Sequence, residues 1–207
     1  MKRILIAIML LGLTGPGVSR AADTSSPDAL VWCGLDYSMV KMIGTADFKQ
    51  PDLIFPGMLE QWNALFIKEM IPLLEKMTSP VQSDLAAVTA RNEKASTSQI
   101  IREDGTSDEM VKPTHITADN IASIVKGLKM KHESGTGLIF VMDRLVKSQQ
   151  MGCLYVVFFD VSTRKLLLSE RVVTAAGGAG FRNFWFKPIK TAVAGLPKQY
   201  KAIKATK

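Results

Sequence analysis

The run Cys153–Val161, CLYVVFFDV, constrains the fold more than any other part of the chain. It is apolar at both parities, so an extended strand built from it has no face that tolerates water. Such a strand needs a covering layer on each side and a neighbour at each edge. Two more β-rich runs flank it, Leu138–Val146 and Lys165–Val173, joined through Lys147–Gly152 and Ser162–Arg164. Connections this short suit antiparallel neighbours, which predicts a meander with CLYVVFFDV in the middle.

Helical spacing appears elsewhere. Between Met58 and Met77, Leu59, Trp62, Phe66, Met70, Leu73 and Met77 recur at steps of three and four, the mark of one apolar helical face. Pro72 is expected to kink that helix or end it near Ile71. Asp84–Lys94 reads as a weaker helix with Leu85 and Val88 inward. Thr117 is a candidate N-cap, with Ile116 and Ile121 placed as a hydrophobic staple. Behind Gly177, Gly178 and Gly180, a last helix carries Phe181, Phe184, Trp185, Ile189, Ala192 and Val193, kinked near Pro188. Ala29–Leu35 reads as a short buried strand, and residues 95–113, with the Asp104-Gly105 turn signal, as a loop or hairpin excursion. These elements predict one α+β domain over residues 29–196. Its sheet is expected to be mainly antiparallel, the first strand plus the three-stranded meander, packed with helices.

The amino terminus reads as an address. Lys2 and Arg3 precede an apolar run, Ile4–Leu13, and Ser19 and Ala21 supply small residues for cleavage after Ala21. At ten residues the run is about half of what spans a bilayer. The expected result is a signal peptide over 1–21, a polar leader over 22–28, and a periplasmic or secreted protein that does not span the membrane. No cysteine lies near the cut to take a lipid. Export permits a disulfide between Cys33 and Cys153, but both lie in apolar strand-like runs where a small buried thiol also serves as packing. Both alternatives stand at this level.

Charge is segregated. The whole chain carries +7, yet from Arg171 onward there are two Arg and six Lys and no acid, while residues 22–170 carry 15 basic and 19 acidic residues. Lys198, Lys201, Lys204 and Lys207 recur every third position through a basic end, residues 197–207. That end suits contact with an anionic envelope surface or an acidic envelope protein; a solvated terminus that keeps the chain soluble has the same composition. A nucleic-acid partner is not expected, because no recognition motif accompanies the charge.

No catalytic set emerges. Ser38–Lys41, Ser123–Lys126 and Ser162–Lys165 match Ser-x-x-Lys, but the companion motifs of serine acyl enzymes are absent. His115 and His132 lie in polar, loop-like surroundings and read as surface residues, and no metal or cofactor motif is found. The acidic residues around Gly105 lack the alternation of a calcium loop. Asp36 follows the first strand without an identifiable partner. The most specific local segment is Gly177–Trp185. Its glycines let backbone N–H groups converge at a helix start, where Gly177, Gly178, Gly180, Arg182 and Asn183 could hold an anion. A tight strand-to-helix crossing needs the same glycines.

The runs GLIFVMDRLVKS, CLYVVFFDVSTRKLLLSERV and AGGAGFRNFWFKPI, about a third of the chain, resemble an uncharacterised family of small secreted proteins from Bacteroides-type bacteria. That resemblance implies no activity. More loosely, the strand–Asp–turn–Lys–Leu–strand hairpin is similar to the TolB amino-terminal domain, the curli secretion-channel family and the lipoprotein activators of penicillin-binding proteins. That similarity implies an envelope assembly module. The function expected is a non-enzymatic binding or assembly module of the envelope; the rival is a small hydrolase or anionic-ligand-binding protein with its site near Gly177–Arg182 or Asp36.

Overall fold

A computed structural model describes residues 29–44, 48–101 and 114–205. The signal-like segment 1–21, the leader 22–28, most of the 95–113 excursion with its acidic residues, and Lys207 lie outside the described residues. The strands are β1 (Leu30–Asp36), β2 (Lys41–Ile43), β3 (Val81–Ser83), β4 (Ile100–Ile101), β5 (Thr136–Val146), β6 (Met151–Asp160) and β7 (Leu166–Ala175). The helices are α1 (Leu59–Glu69), α2 (Ile71–Met77), α3 (Ala86–Asn92), α4 (Ala118–Gly127) and α5 (Gly180–Ala205).

The sheet grows from β5. Along one edge β1 pairs with its first half, Leu30 opposite Thr136 through Asp36 opposite Val141. β2 continues along the same edge, Lys41 opposite Arg144 through Ile43 opposite Val146. Both are parallel to β5, and β3 and β4 extend them outward, again in parallel. On the other edge β6 and then β7 add antiparallel. The result is a seven-stranded α/β sheet with a mostly parallel core order, β3-β1-β5-β2-β4.

This corrects the α+β, mainly antiparallel expectation. The runs chosen for the meander do pair antiparallel, but β5 is also the hinge of a parallel half. Three of that half's strands are two or three residues long, too short to carry any periodicity. Its fourth, β1, meets β5 from more than a hundred residues away in sequence. Part of the excursion belongs to that half: Ile100 and Ile101 pair with Met42 and Ile43.

Helices cover both faces, as crossovers between parallel strands require. On one face Leu30, Trp32, Leu138, Phe140, Leu154, Val156 and Phe158 pack against α1, α2 and α5. On the other, Val31, Cys33, Ile139, Val141, Val157 and Phe159 pack against α3 and α4. The alternation inside CLYVVFFDV thus feeds two cores. Trp32 stacks on Phe66 of α1 at 3.7 Å and meets Phe140 edge-on at 5.2 Å.

Local signals explain the boundaries. The Met58–Met77 face is two helices, because α1 stops at Glu69 and α2 restarts with Pro72 in its first turn, where a missing N–H costs nothing. Thr117 caps α4 and Asn120 returns the bond to the Thr117 amide, a reciprocal box. α5 runs unbroken from Gly180 to Ala205 through Pro188 and Pro197. Residues 197–205 are therefore helical, and Tyr200 and Ile203 are buried against the sheet. Trp62 Nε1 donates to the Arg182 carbonyl at 3.2 Å, and Lys190 pairs with Glu69 at 2.5 Å. These contacts bind α5 to α1 at its first and middle turns.

Candidate functional site

β2 and β5 end side by side, Ile43 opposite Val146. Crevices beyond the carboxyl ends of parallel strands are where α/β sheets place ligands. Here Phe48, Lys49 and Gln50 follow β2, and Lys147 follows β5. The head of α5 arrives from the side, bringing Gly178, Gly180, Phe181, Phe184 and Trp185. With Ile54 and Met58 beneath, these residues line a cleft of about 360 Å³.

Its walls are aromatic. Phe48 stacks on Trp185 at 5.8 Å and 18°, and Phe181 meets Phe48 edge-on at 6.4 Å. Behind them Trp62 stacks on Phe181 at 5.8 Å. Lys147 holds its Nζ 3.3 Å from the centroid of the Phe184 ring, a cation–π seat. Among the described residues the lining has two lysines and no carboxylate, imidazole, thiol or hydroxyl. Beyond the two lysine amines, the described lining offers aromatic faces, a thioether and the Gln50 amide, a surface suited to holding a ligand.

The glycine segment divides. Gly178 and Gly180, with φ of +120° and +73°, lie on the cleft wall. The Gly177 amide is spent on the Phe184 carbonyl at 3.0 Å. Gly177 and Asn183 line a separate depression with Lys187 and Lys190. Arg182 is exposed, its Nε donating to Asn183 Oδ1 at 3.2 Å. The five residues therefore do not converge on one anion. Lys147, Phe48 and Lys49 had no motif to announce them; the signal that could have found them is their place just after two parallel strands.

Asp36 is fully buried and closed in a network. Ser38 donates to it through Oγ at 2.6 Å and through its amide at 2.9 Å, and Arg91 Nε donates at 2.5 Å. Arg91 also donates to Ser38 Oγ at 3.1 Å, so that hydroxyl is engaged on both sides. Ser162 turns to Asp160 at the β6–β7 turn, and Ser123 and Lys126 are exposed on α4.

A second buried carboxylate carries most of the remaining polar structure. Asp143 sits at a bulge in β5 and is fully buried. Arg171 Nε donates to it at 2.8 Å, and His115 Nδ1 lies 3.2 Å away. His115 Nε2 donates to the Met39 carbonyl at 2.7 Å. His115 is thus a packed clamp between segments, not the surface residue expected.

Cys33 and Cys153 are free, buried thiols. They lie on β1 and β6 with β5 between them, Cys33 near the level of Leu138 and Cys153 opposite Arg144. Six residues of strand separate those levels, roughly 20 Å, far beyond disulfide reach. Among the described residues no cluster of three His, Cys, Asp or Glu is placed to hold a metal, and no helix is long and apolar enough to cross a membrane.

The basic end becomes a face of α5. Lys187, Lys190, Lys198, Lys201 and Lys204 are all exposed. At 100° per residue they fall within about a third of the helix circumference, opposite buried Ala192, Leu196 and Ile203. Lys190 pairs with Glu69, and Lys204 lies 5.6 Å from the Tyr200 ring centroid.

No family model and no curated protein matches the chain, so neither resemblance read from its sequence gains support there. Among solved structures, lipoprotein GNA1162 from Neisseria meningitidis aligns at 11% identity and a TM-score of 0.33, over 82% of this chain and 96% of that one. The hypothetical protein CT253 from Chlamydia trachomatis aligns at 9% identity and a TM-score of 0.32, over 87% and 95%. Likeness this distant says nothing of what the chain binds.

Proposed function

We propose that this chain is an exported, non-enzymatic module of the cell envelope that docks on an anionic envelope surface through the outward face of α5. The observation that carries the reading is the alignment of Lys187, Lys198 and Lys201 on a helix whose other face is anchored in the core. A frayed tail would spread the same charges through solvent, whereas a docked helix presents them in one plane. Each lysine held near an anionic lipid surface contributes about 1 kcal/mol, so the contact is reversible and salt-sensitive. Export is supported by Lys2, Arg3 and the apolar run behind them.

Flotation with vesicles tests this reading. The protein should float with phosphatidylglycerol-containing vesicles at low salt, stay behind with phosphatidylcholine, and be released by high salt. Absence from the anionic fraction at low salt, or retention that ignores salt, would overturn it.

A further inference from the structure

We propose that the cleft at the head of α5 is a binding site for a small planar carboxylate, an aromatic ring system bearing one anionic group. This goes beyond docking through the lysine face and rests on different residues. The volume, about 360 Å³, lies at the small end of the range for ligand sites, about 300–1,000 Å³. It suits one or two fused rings.

The walls specify the body of the ligand. Phe48 and Trp185 are fixed by burial and by their own stacking, while Phe181 and Phe184 remain partly open to the cleft. Rings arranged edge-on and face-on around a gap favour another ring in the gap.

The charge specifies its head. Lys147 is half-buried, and its Nζ rests on the face of Phe184, a seat weaker than a carboxylate partner. Among the described residues no lining side chain carries a negative charge to neutralise it, and the first turn of α5 holds no acidic residue. The N–H groups of that turn favour an anion on the same side. A carboxylate entering the cleft takes Lys147 from the Phe184 ring, and the ligand's rings occupy the freed face. Lys147 is the half-buried cation of the lining, while Lys49 is exposed, so a single negative charge on the ligand matches Lys147.

Calorimetric titration of the full chain with 2-naphthoate and with 2-naphthylmethanol, its uncharged counterpart, tests the assignment. Lys147→Met keeps the stem of the side chain and removes its charge. Naphthoate should bind saturably, one per chain. Lys147→Met should weaken it about tenfold, the loss of one charge-assisted contact, and leave the weaker alcohol unchanged. Phe184→Leu should weaken both. No saturable naphthoate binding up to millimolar concentration would overturn the proposal. So would equal affinity for acid and alcohol, or indifference of naphthoate to Lys147→Met. Lys147 is not on the lysine face of α5, so failure here and failure of vesicle docking are read separately.

Discussion

Arg171 on β7 reaches across β6 to Asp143 on β5, its Nε 2.8 Å from a carboxylate oxygen that is wholly buried. Burial by itself pushes the Asp143 carboxyl up, but the hydrogen bonds and charges of His115 and Arg171 outweigh it and hold the group below its ordinary value. A carboxyl depressed in the folded state contributes stability above its unfolded value, about 3.9. That contribution drains away as pH falls through the folded value. Arg171→Leu should remove much of it and leave the buried charge to His115 alone, costing up to about 3–5 kcal/mol at neutral pH. Acid unfolding of the variant should begin at a higher pH. Urea melts at neutral and acid pH measure both effects; a variant as stable as the parent at neutral pH would show that the pairing contributes nothing.

Glycine positions give a sharper test of the central strand. A Cβ on Gly137 runs into the ring of Phe159, its neighbour across the β5–β6 ladder. Gly137→Ala should destabilise by about 1–3 kcal/mol, the usual cost of overpacking. Gly127, at the end of α4, has no atom within 4 Å of such a Cβ. Gly127→Ala should be neutral or stabilise by up to about 1 kcal/mol. The Gly137 variant should melt well below the Gly127 variant, and equal effects would contradict this packing.

Both thiols should be silent in the native protein. Burial pushes Cys153 up to about 11, and Cys33 is also raised, chiefly by burial. A thiol-disulfide reagent at mildly alkaline pH should therefore label neither residue until denaturant is added, then both. Native labelling would contradict the burial, and unlabelled thiols in denaturant without reductant would mean that the two are bonded.

How much of this was legible in the sequence varies with the range of the interaction. The β5–β6–β7 pairing is a local property, since each turn is short and each strand is long enough to show its pattern. The caps and breaks at Thr117 and Pro72 are local too. The parallel half was not readable, because β2, β3 and β4 derive their strand character from the strands they pair with and not from their own residues. The cleft suffers the same limitation. Gly178 and Gly180 stand out as a cluster, whereas Lys147 and Phe48 are ordinary residues until Ile43 and Val146 come side by side. Asp143, His115 and Arg171 are far apart in sequence and meet only through a bulge and a loop. The lysines of α5 were visible as a period of three, but which way they face depends on the burial of Tyr200 and Ile203.

The lysine face of α5 is the centre of this account, and charge reversal tests it most directly. Lys187, Lys198 and Lys201 changed together to Glu alter net charge exactly as much as Lys126, Lys129 and Lys131 changed to Glu, three exposed lysines in and after α4 on the other side of the sheet. Binding to anionic vesicles at low salt should fall at least about a hundredfold in the α5 variant, a loss of about 3 kcal/mol spread over three sites, and change little in the α4 variant. Equal losses in the two would mean that only net charge matters, and an α5 variant that binds like the parent would contradict docking through this helix.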